Sequence, residues 1–466
     1  MRVLIHGINF SPELTGIGKY TGEMAEWLAA QGHEVRVVTA PPYYPQWRVA
    51  DRYANCWLKS KRQIPPIPPL KKRGASEDQR TTEEKGELSG GRSGFSPTIP
   101  CRAEARPTLT IFRCPLWVPA KPSGLKRVLH LASFALSSFP VMLQQIFWRP
   151  DVVWVVEPAL FCAPQAWVVA RLSGGKAWLH VQDFEVDAAF DLGILKSSSL
   201  RRVVLALERW LMRRFDVVST ISDKMLERVV AKGVNERRAC LFPNWVDIEG
   251  LRTEDLGLSG FREELGISGE AVVALYSGNM GNKQGLEVLA EVAGICKLRQ
   301  ASRDKSRPTT ARFAPEVIFV FCGNGVGRAD LVALCDGLPN VRFLELQPVE
   351  RLGALLGMAD IHLLPQRADA ADLVMPSKLT GMLASGRPVV ATAAPGTQVA
   401  MVVEQCGLVV PPGDAGALAD AVLSLANDAD VRAELGAKAR AYAEANLGRD
   451  AILSRFECEM RLLVKK

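Results

Sequence analysis

The sequence predicts an α/β protein made of two Rossmann-like, doubly wound parallel-sheet domains that face each other across a cleft. Three observations lead there. Short, continuous apolar runs alternate with amphipathic helical stretches along most of the chain, the pattern of parallel strands buried on both faces. A poorly periodic segment over residues 248–269 separates one such series from a second that starts afresh. Finally, 466 residues exceed what a single hydrophobic core usually organises.

Taken in order, Arg2–Phe10 (RVLIHGINF) reads as a buried strand, followed by the loop SPELTGIG. A helix from about Lys19 carries Tyr20, Met24, Trp27 and Leu28 on one face and stops at Gly32, and the strand HEVRVVTA completes a β-α-β unit. Gly16, Gly18 and Lys19 sit at a strand's carboxyl end, where such sheets bind ligands, and are the acceptor-binding candidates. The spelling G-I-G-K-Y-T-G is not the dinucleotide fingerprint, and no acid closes the second strand, which argues against a nicotinamide enzyme. No cofactor is expected.

Residues 59–106 are rich in Pro, Gly, Ser and mixed charge and read as a disordered insertion between two strands. After the strand TLTIFRC, Val128–Trp148 is apolar and long enough to span a bilayer. It contains His130, Pro140, three serines and two glutamines, and it runs into the strand DVVWVV. A helix partly buried in its own domain and partly resting on an anionic membrane surface fits better, with Trp117, Trp148, Lys121, Lys126, Arg127 and Arg149 as anchors. A wholly internal core helix is the alternative.

Three further strand-helix alternations follow, ending in LFPNWVD at Asp247 and completing an N-terminal domain over 1–247. The helix ending ERWLMRRF has a basic side (Arg209, Arg213, Arg214) that is either a solvated face or an extension of the membrane patch. The loop DFEVDAAFDLG places Asp183, Glu185 and Asp187 at a strand's carboxyl end. Asp183, nearest the strand, is the catalytic candidate.

Beyond the linker, a second domain over 270–448 opens with strand, glycine loop and helix: Gly278, Asn279 and Gly281 offer backbone N–H groups to a phosphate, and Lys283 adds countercharge. A second such turn carries Gly323 and Gly325, and 298–315 reads as another polar insertion. Then comes DLVMPSKLTGMLASGRPVV: Pro376 at a helix start, Ser377 as its cap and Lys378 as a cation beside free N–H groups. These residues are the donor-binding candidates. Asp428 and Asp430 spell D-x-D between two helices, where Asp430 reads as an N-cap. The last segment, 449–466, is a helix expected to pack back on the N-terminal domain.

Composition narrows the function classes. A net charge of +7 is modest for this length, and no nucleic acid partner is expected. The five histidines show no metal-ligand spacing, so no metal site is expected. Ten cysteines stand singly, without C-x-x-C pairs or a secretory leader, which fits a reducing cytosol.

The stretches SPELTGIGKYTGEMAEWLAAQGHEVRVVT, STISDKM, FPNWVD, YSGNMGNKQGLE, FCGNGVGR, PSKLTGMLASGRPVV and GLVVPPGDAGALADA together resemble the family 4 glycosyltransferases of GT-B fold. HGINFSPELTGIGKYTGEMAEWL and CPLWVPAKPSGLKRVLHLASFALSS are similar to bacterial colanic acid biosynthesis glycosyltransferases, assigned as fucosyltransferases. The resemblance implies metal-independent, retaining transfer from a nucleotide diphosphate sugar, a GDP-sugar such as GDP-fucose, to a lipid-linked saccharide at the cytoplasmic face of the plasma membrane. It also implies where this chain departs from its relatives: a family glutamate pair falls on Leu373 and Gly381 here, and the phosphate-loop Arg/Lys pair on Asn279 and a shifted Lys283. The missing carboxylates leave a second reading open, a non-catalytic nucleotide-sugar-binding partner of a polysaccharide assembly complex.

Overall fold

The computed structural model describes residues 1–13, 16–44, 46–64, 108–120, 124–156, 159–184, 198–251, 259–281, 284–305, 315–368 and 376–465. Among them β1 (Arg2–His6), β2 (Glu34–Thr39), β3 (Leu58–Gln63), β4 (Thr108–Arg113), β5 (Val152–Val156), β6 (Lys176–Val181), β7 (Val217–Thr220) and β8 (Ala239–Leu241) form one sheet, in the order β3-β4-β2-β1-β5-β6-β7-β8. A second sheet holds β9 (Val272–Ser277), β10 (Val317–Cys322), β11 (Val341–Leu344), β12 (Ile361–Leu364), β13 (Val389–Thr392) and β14 (Gly407–Val410), in the order β11-β10-β9-β12-β13-β14. The second sheet is parallel throughout. Every residue of β5, β9, β10 and β12 is buried, because helices cover both faces and a polar side chain would find no water on either side.

Strand order reverses at β1, which lies between β2 and β5, and at β9, which lies between β10 and β12. The loops leaving these two strands therefore open where neighbouring connections diverge, the place where a doubly wound sheet has room for a ligand. One begins at Gly7 and the other at Gly278.

Several expectations need correction. Leu58–Gln63, the start of the supposed disordered insertion, is an edge strand pairing antiparallel with β4, with all six residues exposed. Its charged sequence, LKSKRQ, suits an edge that faces water and discourages pairing with another chain. Residues 65–107 lie outside the described set. The supposed second insertion is helical up to Lys305, continuing the helix Glu287–Lys305, with Arg299 paired to Asp420. The later part of the supposed linker folds with the second domain: Ser259–Glu264 is a short helix, and Phe261 and Ile267 enter that core. Finally, the D-x-D cap is Asp428, whose Oδ1 accepts from Val431 N at 3.0 Å.

The terminal helix Arg449–Lys465 returns to the N-terminal core. Its Phe456 stacks on Phe242 with centroids 4.2 Å apart and meets Trp178 edge-on at 4.9 Å. Glu457 bonds His33 at 2.8 Å. Buried aromatic contacts of this kind cost about 3–5 kcal/mol to truncate, so this helix fastens the chain's end to its beginning.

The long apolar helix spans Gly124–Trp148. His130, Phe134, Ser138 and Met142, four apart, form a stripe turned into the domain, joined by Gln145. Ser138 Oγ accepts from Gln165 Nε2 at 3.1 Å and lies 3.2 Å from His6 Nε2, so the middle of the helix is tied to β1 by polar groups. The opposite side exposes Leu125, Leu129, Leu136 (75%), Phe139 and Phe147 (89%). Trp148, expected as an interfacial anchor, is buried instead: its Nε1 donates to Glu34 at 2.9 Å and Arg36 lies over its ring. Lys121 lies outside the described residues.

Candidate active site

The second domain's site is built on β9. Gly278 follows the strand with φ 137°, and Gly323 and Gly325, after β10, have φ 149° and 153°. A Cβ at Gly323 would stand 1.9 Å from Gly278 O, and one at Gly325 would stand 2.4 Å from Met280 O. Backbone is packed on backbone there, which only glycine allows. Met280 N donates to Asn324 O at 2.9 Å and Gly327 N to Met280 O at 2.9 Å, interlocking the two turns. The N–H groups of Gly278, Gly281 and Gly323 are consumed in the same way, by Cys322 O, Gln284 Oε1 and Leu344 O. The glycines thus shape the floor, and the expected cradle of free N–H groups is not what these three positions provide. Lys283 lies outside the described residues.

Lys378 stands over this floor. Its side chain passes Gly278, with Cδ 3.4 Å from where a Cβ would be, and its ammonium sits 4.1 Å from the centroid of Tyr276. Tyr276 is fixed by its own hydroxyl, which donates to Asn279 O at 2.6 Å. The Lys378 Nζ is buried and has no hydrogen-bond partner among the described residues. Burial lowers its pKa to about 7. The face of an aromatic ring is a weak partner for a desolvated ammonium, and an incoming phosphate oxygen is a far better one.

Ser377 occupies the N-cap position of the short helix Lys378–Ala384, but its side chain makes no cap bond, because its backbone is already helical (φ −59°, ψ −25°). The hydroxyls of Ser377 and Thr380 instead meet that of Tyr20, from the helix Gly16–Ala30 of the other domain. Thr380 Oγ1 donates to Ser377 O at 2.8 Å, which leaves its lone pairs for the tyrosine. Pro376, half-buried, precedes the helix and accepts from Leu379 N at 3.0 Å. Tyr20 is buried with its ring edge-on to Trp245 at 5.0 Å, so the two domains meet through it beside the donor candidates.

On the opposite wall, Gly16 has φ 61° and open space around it. Gly18 is glycine for a different reason than expected: a Cβ there would lie 2.6 Å from Glu13 Oε2. Lys19 is engaged by Glu23 at 3.8 Å and lies over the Tyr20 ring. Glu13, which sequence reasoning passed over, is buried, and it accepts from Asn9 Nδ2 at 2.9 Å and from the backbone N–H groups of Tyr43 and Tyr44 at 3.1 Å. Its pKa is raised by burial despite those donors and the Arg113 charge. The carboxylate thereby joins the SPELTGIG loop to the loop after β2.

Asp183 follows β6 half-buried, as expected for a residue at a strand's carboxyl end. The charges of Arg127, Asp183 and Glu13 all act on the Tyr44 hydroxyl, whose pKa burial raises, which brings loops after β1, β2 and β6 and the start of the long helix to one place. Glu185 and Asp187 lie outside the described residues. Tyr20, Tyr44 and Glu13 were not found from sequence. The signal was a cluster of polar and aromatic residues after two successive strands.

Family models match both halves: a glycosyl transferase 4-like domain over residues 15–76 and 88–245, and a glycosyl transferases group 1 domain over 271–428. The chain belongs to the family 4 glycosyltransferases of GT-B fold. This glycosyltransferase is 39% identical over 470 residues, covering 99% of its chain and 100% of the relative, to the putative colanic acid biosynthesis glycosyl transferase WcaI of Escherichia coli (strain K12). In fold it is similar to sucrose-phosphate synthase of Thermosynechococcus elongatus, with TM-score 0.66 and 17% identity over 99% of this chain and 98% of that one. It is likewise similar to Anabaena HepE solved with UDP and glucose, with TM-score 0.61 and 14% identity over 99% of both. At Gly381, where the resemblance places a family glutamate, a Cβ would lie 3.2 Å from Leu356 Cδ1, so that leucine side chain would have to give by a few tenths of an ångström to admit one. Leu373 lies outside the described residues.

Proposed function

We propose that this glycosyltransferase moves a sugar from a nucleotide diphosphate sugar, with GDP-fucose the first donor to try, to a lipid-linked saccharide in the assembly of an exopolysaccharide of the colanic acid type. The single observation carrying this reading is the Lys378 ammonium, buried over the β9 loop without an anionic partner among the described residues. The diphosphate of the leaving nucleotide supplies that partner and is stabilised by it as the sugar bond breaks. Ser377 and the Gly278–Gly281 floor flank the same place, and Asp183 orients the acceptor hydroxyl from the other wall. Transfer is metal-independent and retains configuration, the leaving phosphate taking the acceptor proton; such a front-side step needs no paired carboxylates of the glycosidase kind.

The kinship with WcaI supports the polysaccharide context, and HepE, solved with UDP and glucose, supports a nucleotide-linked donor. The protein works at the cytoplasmic face of the plasma membrane as a peripheral enzyme. Supporting this, the long helix is pinned to its domain through Ser138, Gln145 and His130 while its outer side exposes Leu125, Leu129, Leu136 and Phe147. Val203, Leu207 and Trp210 add exposed apolar surface from the helix Ser198–Met212, next to Arg209 and Arg214. Screening nucleotide sugars with the purified protein and a lipid-diphosphate saccharide tests the reading. Product formation with one donor class is expected; neither hydrolysis nor transfer of any donor would overturn it.

A further inference from the structure

The stretch after β2 and the start of the long helix form a second built place that the donor chemistry does not use. Trp47 has φ 52°, a left-handed backbone that a bulky side chain rarely adopts unless its surroundings impose it. Its ring meets Tyr43 edge-on at 5.8 Å and His130 at 5.3 Å, and Tyr43 meets His130 at 4.7 Å. His130 Nδ1 donates to Trp117 O at 2.6 Å, which fixes the ring and leaves Nε2 buried without a partner among the described residues. Over Trp47, at 5.5 Å, lies the guanidinium of Arg127, an exposed residue that no described carboxylate pairs. A strained tryptophan, an imidazole nitrogen and an arginine without a partner among the described residues converge within one aromatic cage.

The surroundings of the cage are mixed. Trp117, Leu125 and Leu129 are exposed and apolar. Tyr44 stands within the electrostatic reach of both Arg127 and Asp183. Apolar surface, a cation, a hydroxyl and a carboxylate are the groups that would meet a lipid, a phosphate and a sugar. We infer that Arg127, braced on Trp47, binds a phosphate of the lipid diphosphate that carries the acceptor saccharide, with the lipid along Trp117, Leu125 and Leu129 and the sugar directed past Tyr44 to Asp183. This rests on the lipid-linked acceptor proposed above and names the residues that receive it.

A binding experiment separates the two. Farnesyl diphosphate and farnesol are titrated against the full-length protein by calorimetry, for the wild type, Arg127→Ala, Arg127→Lys and Trp47→Ala, with nucleotide affinity as the check that each variant is folded. Losing a charge-assisted phosphate contact should weaken farnesyl diphosphate about tenfold or more in Arg127→Ala, with partial recovery in Arg127→Lys. Farnesol should bind the wild type and Arg127→Ala alike, and Trp47→Ala should weaken the diphosphate ligand by freeing the guanidinium. Equal affinity of wild type and Arg127→Ala for farnesyl diphosphate, or an equal loss for farnesol, would overturn the site. A protein that binds the diphosphate through Arg127 yet transfers no sugar would instead overturn the transferase reading and leave this site standing.

Discussion

Replacing Lys378 with methionine should make the empty protein more stable and the enzyme worse. Burial moves the ammonium from its ordinary 10.5 to about 7. At about 1.4 kcal/mol per unit this sets a ceiling of roughly 4–5 kcal/mol on the cost of holding the charge there. The stem of the side chain keeps some solvent contact, so the realised cost is smaller. The sign follows from proton linkage. Between pH 7 and about 10.5 the unfolded chain holds a proton on this lysine that the folded chain has lost, so stability rises with pH across that window and the penalty is complete below it. Methionine keeps the contacts with Gly278 and Tyr276 without the charge. Urea unfolding should therefore show Lys378→Met above wild type at pH 7, with the gap narrowing by about pH 9–10. Nucleotide affinity should move the other way, falling about ten- to hundredfold through loss of a charged hydrogen bond. In the wild type, binding should draw in a proton above pH 7, which calorimetry in buffers of different ionisation enthalpy would show as a buffer-dependent heat. A variant that is less stable, or that binds nucleotide as before, would refute the reasoning.

Other expectations are more local. Asp183→Asn should cut transfer by about a hundredfold or more while leaving nucleotide affinity nearly unchanged, measured by product formation and titration. Tyr20→Phe should lower both nucleotide affinity and turnover several-fold by removing the hydroxyl that meets Ser377 and Thr380, and the effect should vanish in a Thr380→Val, Ser377→Ala background. Gly323→Ala should cost about 2 kcal/mol or more, read as a lowered urea midpoint, because its Cβ would occupy the place of Gly278 O. Glutamates at Leu136 and Phe147 should abolish sedimentation with anionic vesicles without lowering stability, since both side chains are exposed.

Much of the fold was legible because parallel strands buried on both faces leave continuous apolar runs, whereas the strand order that puts the switch points at β1 and β9 is set by long-range pairing that the runs do not show. The edge strand Leu58–Gln63 was not: LKSKRQ is charged, and only its pairing with β4 makes it a strand. Trp148 was misjudged because a tryptophan beside basic residues at a helix end reads as an anchor, whereas Glu34 and Arg36, distant in sequence, enclose it. At the site, Lys378 could be found from its place at the start of a short helix, but its burial over Tyr276 depends on a strand about a hundred residues earlier. Glu13, Tyr20 and Tyr44 escaped notice because their roles come from partners on other loops and the other domain.

The most direct measurement is the mass of the acceptor. Full-length protein, one nucleotide sugar and a lipid-diphosphate saccharide are incubated together, and the lipid product is weighed by mass spectrometry beside Lys378→Met and Asp183→Asn. The acceptor should gain the mass of one sugar residue with wild type and little or none with either variant. An unchanged acceptor across the donor series, or equal product from wild type and both variants, would contradict the assignment of this cleft.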